Sequence, residues 1–148
     1  MLDFEQLAFI EKWRQRASRG VVVALDGTRG DVLLTMRVGE GSPHLDLRGR
    51  DATGAVRKSR LTLGDRVTMA IEYRARDVSK AGARGVAGNL VAPGAKVTGT
   101  VTSTGDIVAV DCGAQVLVSG DTLPGVNEGD DVSFVIADEG KAYLIPTR

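Results

Sequence analysis

After residue 20 the chain runs twice through the same order of short β-rich segments, and this internal repeat restricts the fold more than any other feature. The matched pairs, in chain order, are 21–25 with 97–101, 30–34 with 105–109, 45–49 with 116–120, and 64–71 with 129–136. The spacing between matched segments falls from 76 to 65 residues along the chain, as shorter loops in the second copy would produce. We therefore predict two degenerate copies of one small module.

The fourth pair of segments carries the most specific pattern. Gly64-Asp65 and Gly129-Asp130 each predict a tight turn, and apolar residues follow each turn at every second position. This alternation places one face of a strand in a core and the other face in solvent. A small flat sheet leaves exposed edges, and closing it into a barrel removes them. The sequence therefore predicts a mostly β fold with two tandem small barrels; the alternative is a single sandwich whose halves share one core.

A helix is predicted ahead of the repeats, over residues 1–19. Asp3 can cap its start, Gly20 can end it, and its apolar residues fall on one face at helical spacing. The large side chains of this face are Phe9, Ile10 and Trp13. Such a face either docks on its own domain or forms a contact surface for a protein partner or for a second copy of the chain.

The composition divides the rest of the chain into three parts. Residues 20–76 and 95–148 hold the two copies of the repeat, and each is predicted to form one barrel module. Residues 77–94 follow neither the helical nor the strand period and are dominated by small side chains. This segment therefore favours a flexible linker or a mobile loop.

The strand order and the pattern Gly-Asp-x-Val with alternating apolar residues resemble the oligonucleotide/oligosaccharide-binding (OB) barrel superfamily. The second copy is also similar to TOBE domains, small barrels that end some transporter ATPases or bind molybdate. The similar segments are 98–101, 129–134 and 142–146. The resemblance implies a barrel topology and, for the TOBE-like copy, binding of an oxyanion or small ligand, but a fold likeness assigns no ligand residues.

Catalytic and metal-ligating constellations are missing from the sequence. His44 is the single histidine, which excludes a multi-histidine metal site within one chain, and it follows Pro43 in a predicted turn. Cys112 is the single cysteine, which excludes an intrachain disulfide and fits a reducing, cytoplasmic setting. We therefore expect no enzyme activity, no metal and no cofactor.

Charge is distributed unevenly along a chain whose formal net charge is zero. Residues 1–76 carry 14 basic and 10 acidic side chains, whereas residues 95–148 carry three basic and eight acidic ones. This asymmetry indicates either nucleic-acid binding at the basic end or attraction of the two halves to each other or to a neighbouring chain. The apolar runs are too short for a transmembrane helix, and no membrane partner is expected.

Basic residues cluster around a long loop of the first copy and on the strand that follows, where a barrel would turn them into a track for phosphates. They are Arg48, Arg50, Arg57, Lys58, Arg60, Arg74 and Arg76, and the predicted helix ends with Arg14, Arg16 and Arg19. Aromatic residues, which stack on bases, make up only 4% of the chain. This scarcity favours contact with a nucleic-acid backbone over reading of single-stranded sequence.

Our first hypothesis is therefore a non-enzymatic protein that binds DNA or RNA backbones through the basic first module. One alternative is a protein–protein adaptor or assembly subunit that uses barrel edges and the N-terminal helix. The other is a TOBE-like binder of oxyanions or small ligands. A simpler interpretation of the arginines is that they only keep a long loop solvated.

Overall fold

The computed structural model describes residues 8, 11–13, 16–28, 31–39, 44–80, 85–86 and 90–145. Ala8 and residues 11–13 are helical, and strands follow. The strands of the first half are β1 (Ser18–Thr28), β2 (Asp31–Val38), β3 (Leu45–Asp51), β4 (Arg66–Tyr73), β5 (Ala75–Lys80), β6 (Gly85–Val86) and β7 (Leu90–Val91). Those of the second half are β8 (Lys96–Ser103), β9 (Ile107–Asp111), β10 (Gln115–Ser119), β11 (Asp131–Ile136) and β12 (Gly140–Ile145). Between the third and fourth strand of each half lies a short helical turn, Ala55–Lys58 or Gly120–Thr122.

Five strands close into a barrel around the first half of the chain. β1 pairs with β2 and β2 with β3, both antiparallel, and β4 returns to pair with β1. The gap between β3 and β4 is filled by β12, which runs parallel to β3 and antiparallel to β4. The last strand of the second half therefore completes the barrel of the first half.

The second half forms a similar ring of pairings and borrows a strand from the first half in return. β8, β9 and β10 pair in order, and β11 pairs with β8. The end of β4 runs parallel to β10, and β5, which follows β4 after Arg74, pairs with β11. Each half thus gives its fifth strand to the other. The predicted mostly β fold of OB-like barrels behind an N-terminal helix is confirmed.

The two Gly-Asp turns have the same geometry, as expected for a duplicated module. Gly64 and Gly129 have φ angles of +91° and +89°, which favour glycine because it lacks a Cβ. The carboxylate of Asp65 accepts a hydrogen bond of 2.9 Å from the backbone N–H of Thr62. Asp130 accepts an equivalent bond of 2.9 Å from the residue three positions earlier.

The larger of two clusters of buried apolar side chains among the described residues runs through both halves. It extends from Val22 on β1 to Ala142 on β12. Its largest fully buried members include Tyr73, Phe134 and Leu34. Because β5 and β12 each pack into the opposite half, the two rings of strands share this core.

Part of the segment 77–94, which the sequence indicates as a flexible linker or loop, is paired in the sheet. β5 pairs with β11, β6 with β8, and β7 with β3. Each ring of strands therefore includes a strand from outside the residue range that the sequence predicts for that module. The domain boundaries themselves stay a prediction.

Gly20, which the sequence suggests as the end of the helix, lies instead in β1. A Cβ at this position would collide with the side chain of Met36 on the paired strand β2. The glycine is therefore used for close approach of two strands rather than for ending a helix. Within the described residues, no helix is long and apolar enough to cross a membrane.

Candidate functional site

Among the described side chains, at least three of the basic residues predicted to contact phosphates are bound to acids. Arg48 donates two hydrogen bonds to the carboxylate of Glu139, at 2.7 and 3.1 Å. Arg74 lies 3.2 Å from a carboxylate oxygen of Asp121, and Arg76 contacts the carboxylate of the next residue in the chain. In each case a carboxylate contacts the arginine that was predicted to bind a phosphate.

The other four predicted basic residues lie on or after β3. Arg50 is in β3, and Lys58 and Arg60 follow it with exposed side chains. Arg57 belongs to the helical turn, and its side chain lies outside the described part of the chain. Of the residues bound to acids, Arg76 is on β5, in the ring of the second half. The fold thus distributes the predicted residues over both rings of strands.

Ion pairs link the basic first half of the chain to its acidic second half. Among the described residues, contacts of this kind join a base from residues 1–76 to an acid from residues 95–148: Arg16 with Asp106, Arg48 with Glu139, and Arg74 with Asp121. Attraction between the basic and the acidic half, the simpler interpretation of the charge asymmetry, is therefore present in the fold.

Trp13 packs on the outer face of the sheet where the two halves meet. It is 2% exposed and stacks on Tyr143 of β12, with ring centroids 4.4 Å apart and planes inclined by 15°. The buried residues around it come from both halves: Ala70, Ile107, Ala109, Leu117 and Ile145. Phe9 and Ile10, the other members of the predicted partner surface, lie outside the described residues. Trp13 therefore holds the helix on its own sheet, and a partner for the helix stays a prediction.

A groove of about 320 Å³ lies beside Trp13, between the N-terminal helix and the strands β8, β9 and β10. The helix side contributes charged groups, the ends of β8 and β10 contribute hydroxyl and amide groups, and β9 and β10 contribute apolar side chains. The lining residues are Glu11, Lys12 and Arg16; Thr102, Ser103 and Gln115; and Ile107, Ala109 and Leu117. Cationic and N–H or O–H donors of this kind bind oxyanions in proteins.

Arg16 is positioned at the groove by its neighbours. Gln115 donates from Nε2 to the backbone carbonyl of Arg16 at 3.0 Å, and the Arg16 guanidinium donates to the Lys12 carbonyl at 3.1 Å. A carboxylate oxygen of Asp106 lies 3.5 Å from Nη2 of Arg16, and the Asp106 side chain is 67% exposed. Such an exposed ion pair contributes little stability. Lys12 Nζ lies over the Trp13 ring, 5.0 Å from its centroid, so the two side chains order each other.

Sequence reasoning included Arg16 only as an extension of the predicted basic track and did not single out the other groove residues. The one local signal was the hydroxyl-rich run Thr102-Ser103-Thr104 at the end of β8. The contact between Gln115 and Arg16 joins residues 99 positions apart. It exists because the helix docks on the second half, and no local pattern encodes that docking.

No metal centre or activated nucleophile is present in the described part of the chain. No group of three or more His, Cys, Asp or Glu side chains there is arranged to hold a metal ion. Cys112 is buried, and burial raises the pKa of its thiol. Because a raised pKa lowers the fraction of thiolate, Cys112 is a poor nucleophile. His44 lies directly before β3 and is half-buried.

The fold is shared with a solved protein of known ligand. Over 88% of this chain and 95% of the other, the structure is similar to the cytoplasmic molybdate-binding protein ModG, crystallised with molybdate bound, with a TM-score of 0.50 and 20% sequence identity. No protein-family model matches the chain, and no curated protein matches it. At this identity the similarity shows the fold alone, and it supports the OB-like barrel predicted from the sequence.

Proposed function

We propose that the protein binds a small oxyanion in the groove between its N-terminal helix and β8–β10. This is the TOBE-like alternative of the sequence analysis. The observation that carries the proposal is the convergence of donors in the groove: Lys12, Arg16, Thr102, Ser103 and Gln115. The shared fold with ModG, which binds molybdate, supports it.

Arg16 is the residue that we expect to bind the anion directly. A guanidinium can donate two parallel N–H bonds to an oxyanion, which gives both strength and orientation. Its Nη2 faces Asp106 at 3.5 Å, which is longer than a good hydrogen bond. A better-placed oxyanion can therefore replace this exposed carboxylate at little cost. Lys12 adds a second positive charge to the same wall of the groove.

The hydroxyl groups would complete the anion's hydrogen bonds. The Thr102 hydroxyl donates to the carbonyl of Ala109 at 3.3 Å, a long bond that a rotation about the Cβ–Oγ1 bond would exchange for a bond to the ligand. Ser103 is exposed at the rim of the groove. Side-chain hydroxyls of this kind add directional donors to the less directional charge of Lys12.

Nucleic-acid binding through the first half gains no support from the geometry. Arg48, Arg74 and Arg76, which this hypothesis requires, contact acids. Freeing Arg48 and Arg74 for phosphates would break contacts that also join the two halves. The adaptor function and the absence of enzyme activity stay predictions.

Thermal unfolding in the presence of molybdate, tungstate, sulfate, phosphate and acetate tests the proposal. A ligand at 100 times its Kd stabilises the folded state by about 2.7 kcal/mol. For a chain of this length, that raises the Tm by roughly 5–10 °C. Arg16→Gln is expected to remove most of this increase. Arg37→Gln is the matched control, because it also breaks an arginine–aspartate ion pair but lies on β2, outside the groove.

Asp106→Asn provides a test in the opposite direction. It removes the carboxylate next to Arg16, so we expect roughly a twofold to fivefold tighter anion binding in calorimetric titration, which is the range of an exposed ion pair. The proposal is wrong if none of the five anions raises the Tm. It is also wrong if Arg16→Gln and Arg37→Gln change the anion response equally.

A further inference from the structure

We propose that the ligand preferred by this groove is a singly charged organic anion, a carboxylate or sulfonate on a short apolar body, rather than an inorganic dianion. The inference rests on the proposed function, because it concerns the same groove and the same arginine. It adds the charge, the size and the polarity of the ligand.

The charges of the groove favour a ligand with one negative charge. Its described lining residues contain two bases, Lys12 and Arg16, and one acid, Glu11, which leaves one net positive charge. Asp106 adds a further carboxylate next to Arg16. With Asp106 included, two carboxylates balance the two bases, so a bound monoanion leaves one uncompensated negative charge and a dianion leaves two. The two carboxylates therefore repel a dianion more strongly than a monoanion.

The size of the groove favours a ligand larger than an inorganic ion. Its volume of about 320 Å³ lies at the lower end of cavities that hold small organic ligands, which run from roughly 300 to 1,000 Å³. A tetrahedral ion bound at Arg16 would leave most of this space to water. A headgroup at Arg16 with a body of a few carbon atoms would occupy it.

Part of the groove lining, away from the charged rim, is apolar. Ile107 and Ala109 on β9 and Leu117 on β10 face the groove, and all three belong to the same buried cluster as Trp13. All three residues are at most 6% exposed, so they form a small apolar floor, and the main gain comes from removing the ligand's own apolar body from water. Each methylene group that becomes buried is expected to increase affinity about fourfold. The groove therefore combines a cationic rim for a headgroup with an apolar wall for a body.

Isothermal titration of the full chain with acetate, butyrate and hexanoate, and with sulfate and molybdate, tests the inference. We expect affinity to rise about fourfold per methylene group until the groove is full, and both dianions to bind more weakly than butyrate. Ala109→Val narrows the apolar wall and is expected to remove the gain per methylene group. The fluorescence of Trp13, the single tryptophan, reports whether this variant keeps its helix docked.

The carboxylate series in the unmodified protein needs no variant, so a poorly folded Ala109→Val leaves the test intact. A flat carboxylate series overturns the inference. So does a dianion that binds more tightly than hexanoate; if Arg16→Gln abolishes that binding, the proposed function still stands. If no anion in the series binds, the inference and the proposed function fall together.

Discussion

Breaking the ion pair between Arg48 and Glu139 is expected to destabilise the protein more than breaking the ion pair between Arg37 and Asp46. Both arginines donate two hydrogen bonds to their carboxylates. The pairs differ in what they connect. Arg48 joins β3 to the loop before β12, the strand exchanged between the halves, whereas Arg37 and Asp46 lie on the neighbouring strands β2 and β3.

The magnitude follows from burial. The side chains of Arg48 and Glu139 are 32% and 21% exposed, and hydrogen bonding to Glu139 raises the pKa of Arg48. Hydrogen bonds to charged groups contribute about 1.5–3 kcal/mol and fully exposed ion pairs about 0–1 kcal/mol. For this half-buried pair we expect a coupling energy of about 1–2 kcal/mol, which corresponds to roughly 2–8 °C in Tm. The Arg37 pair, with a more exposed guanidinium, is expected to couple less.

A double-mutant cycle in urea measures this coupling without counting other effects of each substitution. The cycle uses Arg48→Met and Glu139→Gln singly and together, and the control cycle uses Arg37→Met and Asp46→Asn. Equal coupling energies in the two cycles would refute the reasoning, because burial and the position of the pair at the strand exchange would then contribute nothing.

Three further predictions concern the barrel. A chain ending at residue 76 is expected not to fold, as judged by circular dichroism and urea titration, because it lacks β12, which pairs with both β3 and β4; a cooperative transition in this fragment would contradict the strand exchange. Gly99→Ala is expected to lower the free energy of unfolding in urea by about 1–3 kcal/mol, because the added Cβ would collide with the Asp111 carbonyl. Gly27→Ala is the control and should change this free energy little, because the nearest atom to its added Cβ is 3.6 Å away. Burial raises the pKa of Tyr73 well above its usual value, so the contribution of Tyr73 to stability should be constant up to about pH 10 and fall above it, as the unfolded state loses the proton that the folded state retains. In absorbance at 295 nm, Tyr143 should titrate before Tyr73, and Tyr73 should ionise only when the protein unfolds. Ionisation of both tyrosines before unfolding would contradict the burial of Tyr73.

Much of the sheet could be predicted from the sequence because its signals are local. Alternating apolar residues after Gly64-Asp65 and Gly129-Asp130 predicted β4 and β11, and both glycines adopt the positive φ that their turns require. The repeat predicted equivalent strands in the same order in both halves. These features depend on backbone conformation and side-chain period within a few residues, so they are legible without knowing what each strand contacts.

The candidate groove was much less predictable. Its helix side and its strand side are separated by about 90 residues of chain, and they meet because Trp13 docks on strands from both halves. The basic residues chosen from the sequence were clustered along the chain. Local clustering does not reveal the partner of a charge, and Arg48 and Arg74 find theirs in the acidic second half.

The sequence by itself determined the order and period of the four strands that repeat in each half, and the uneven charge of the two halves. Only the tertiary structure decided that β5 and β12 cross to the opposite half. A strand with alternating apolar residues can form its hydrogen bonds with any other such strand and bury its apolar face beside it. The sequence pattern alone therefore does not determine which strand is the partner. The choice is made by the shared core and by the opposite charges that meet at the crossings, and both exist only once the chain is folded.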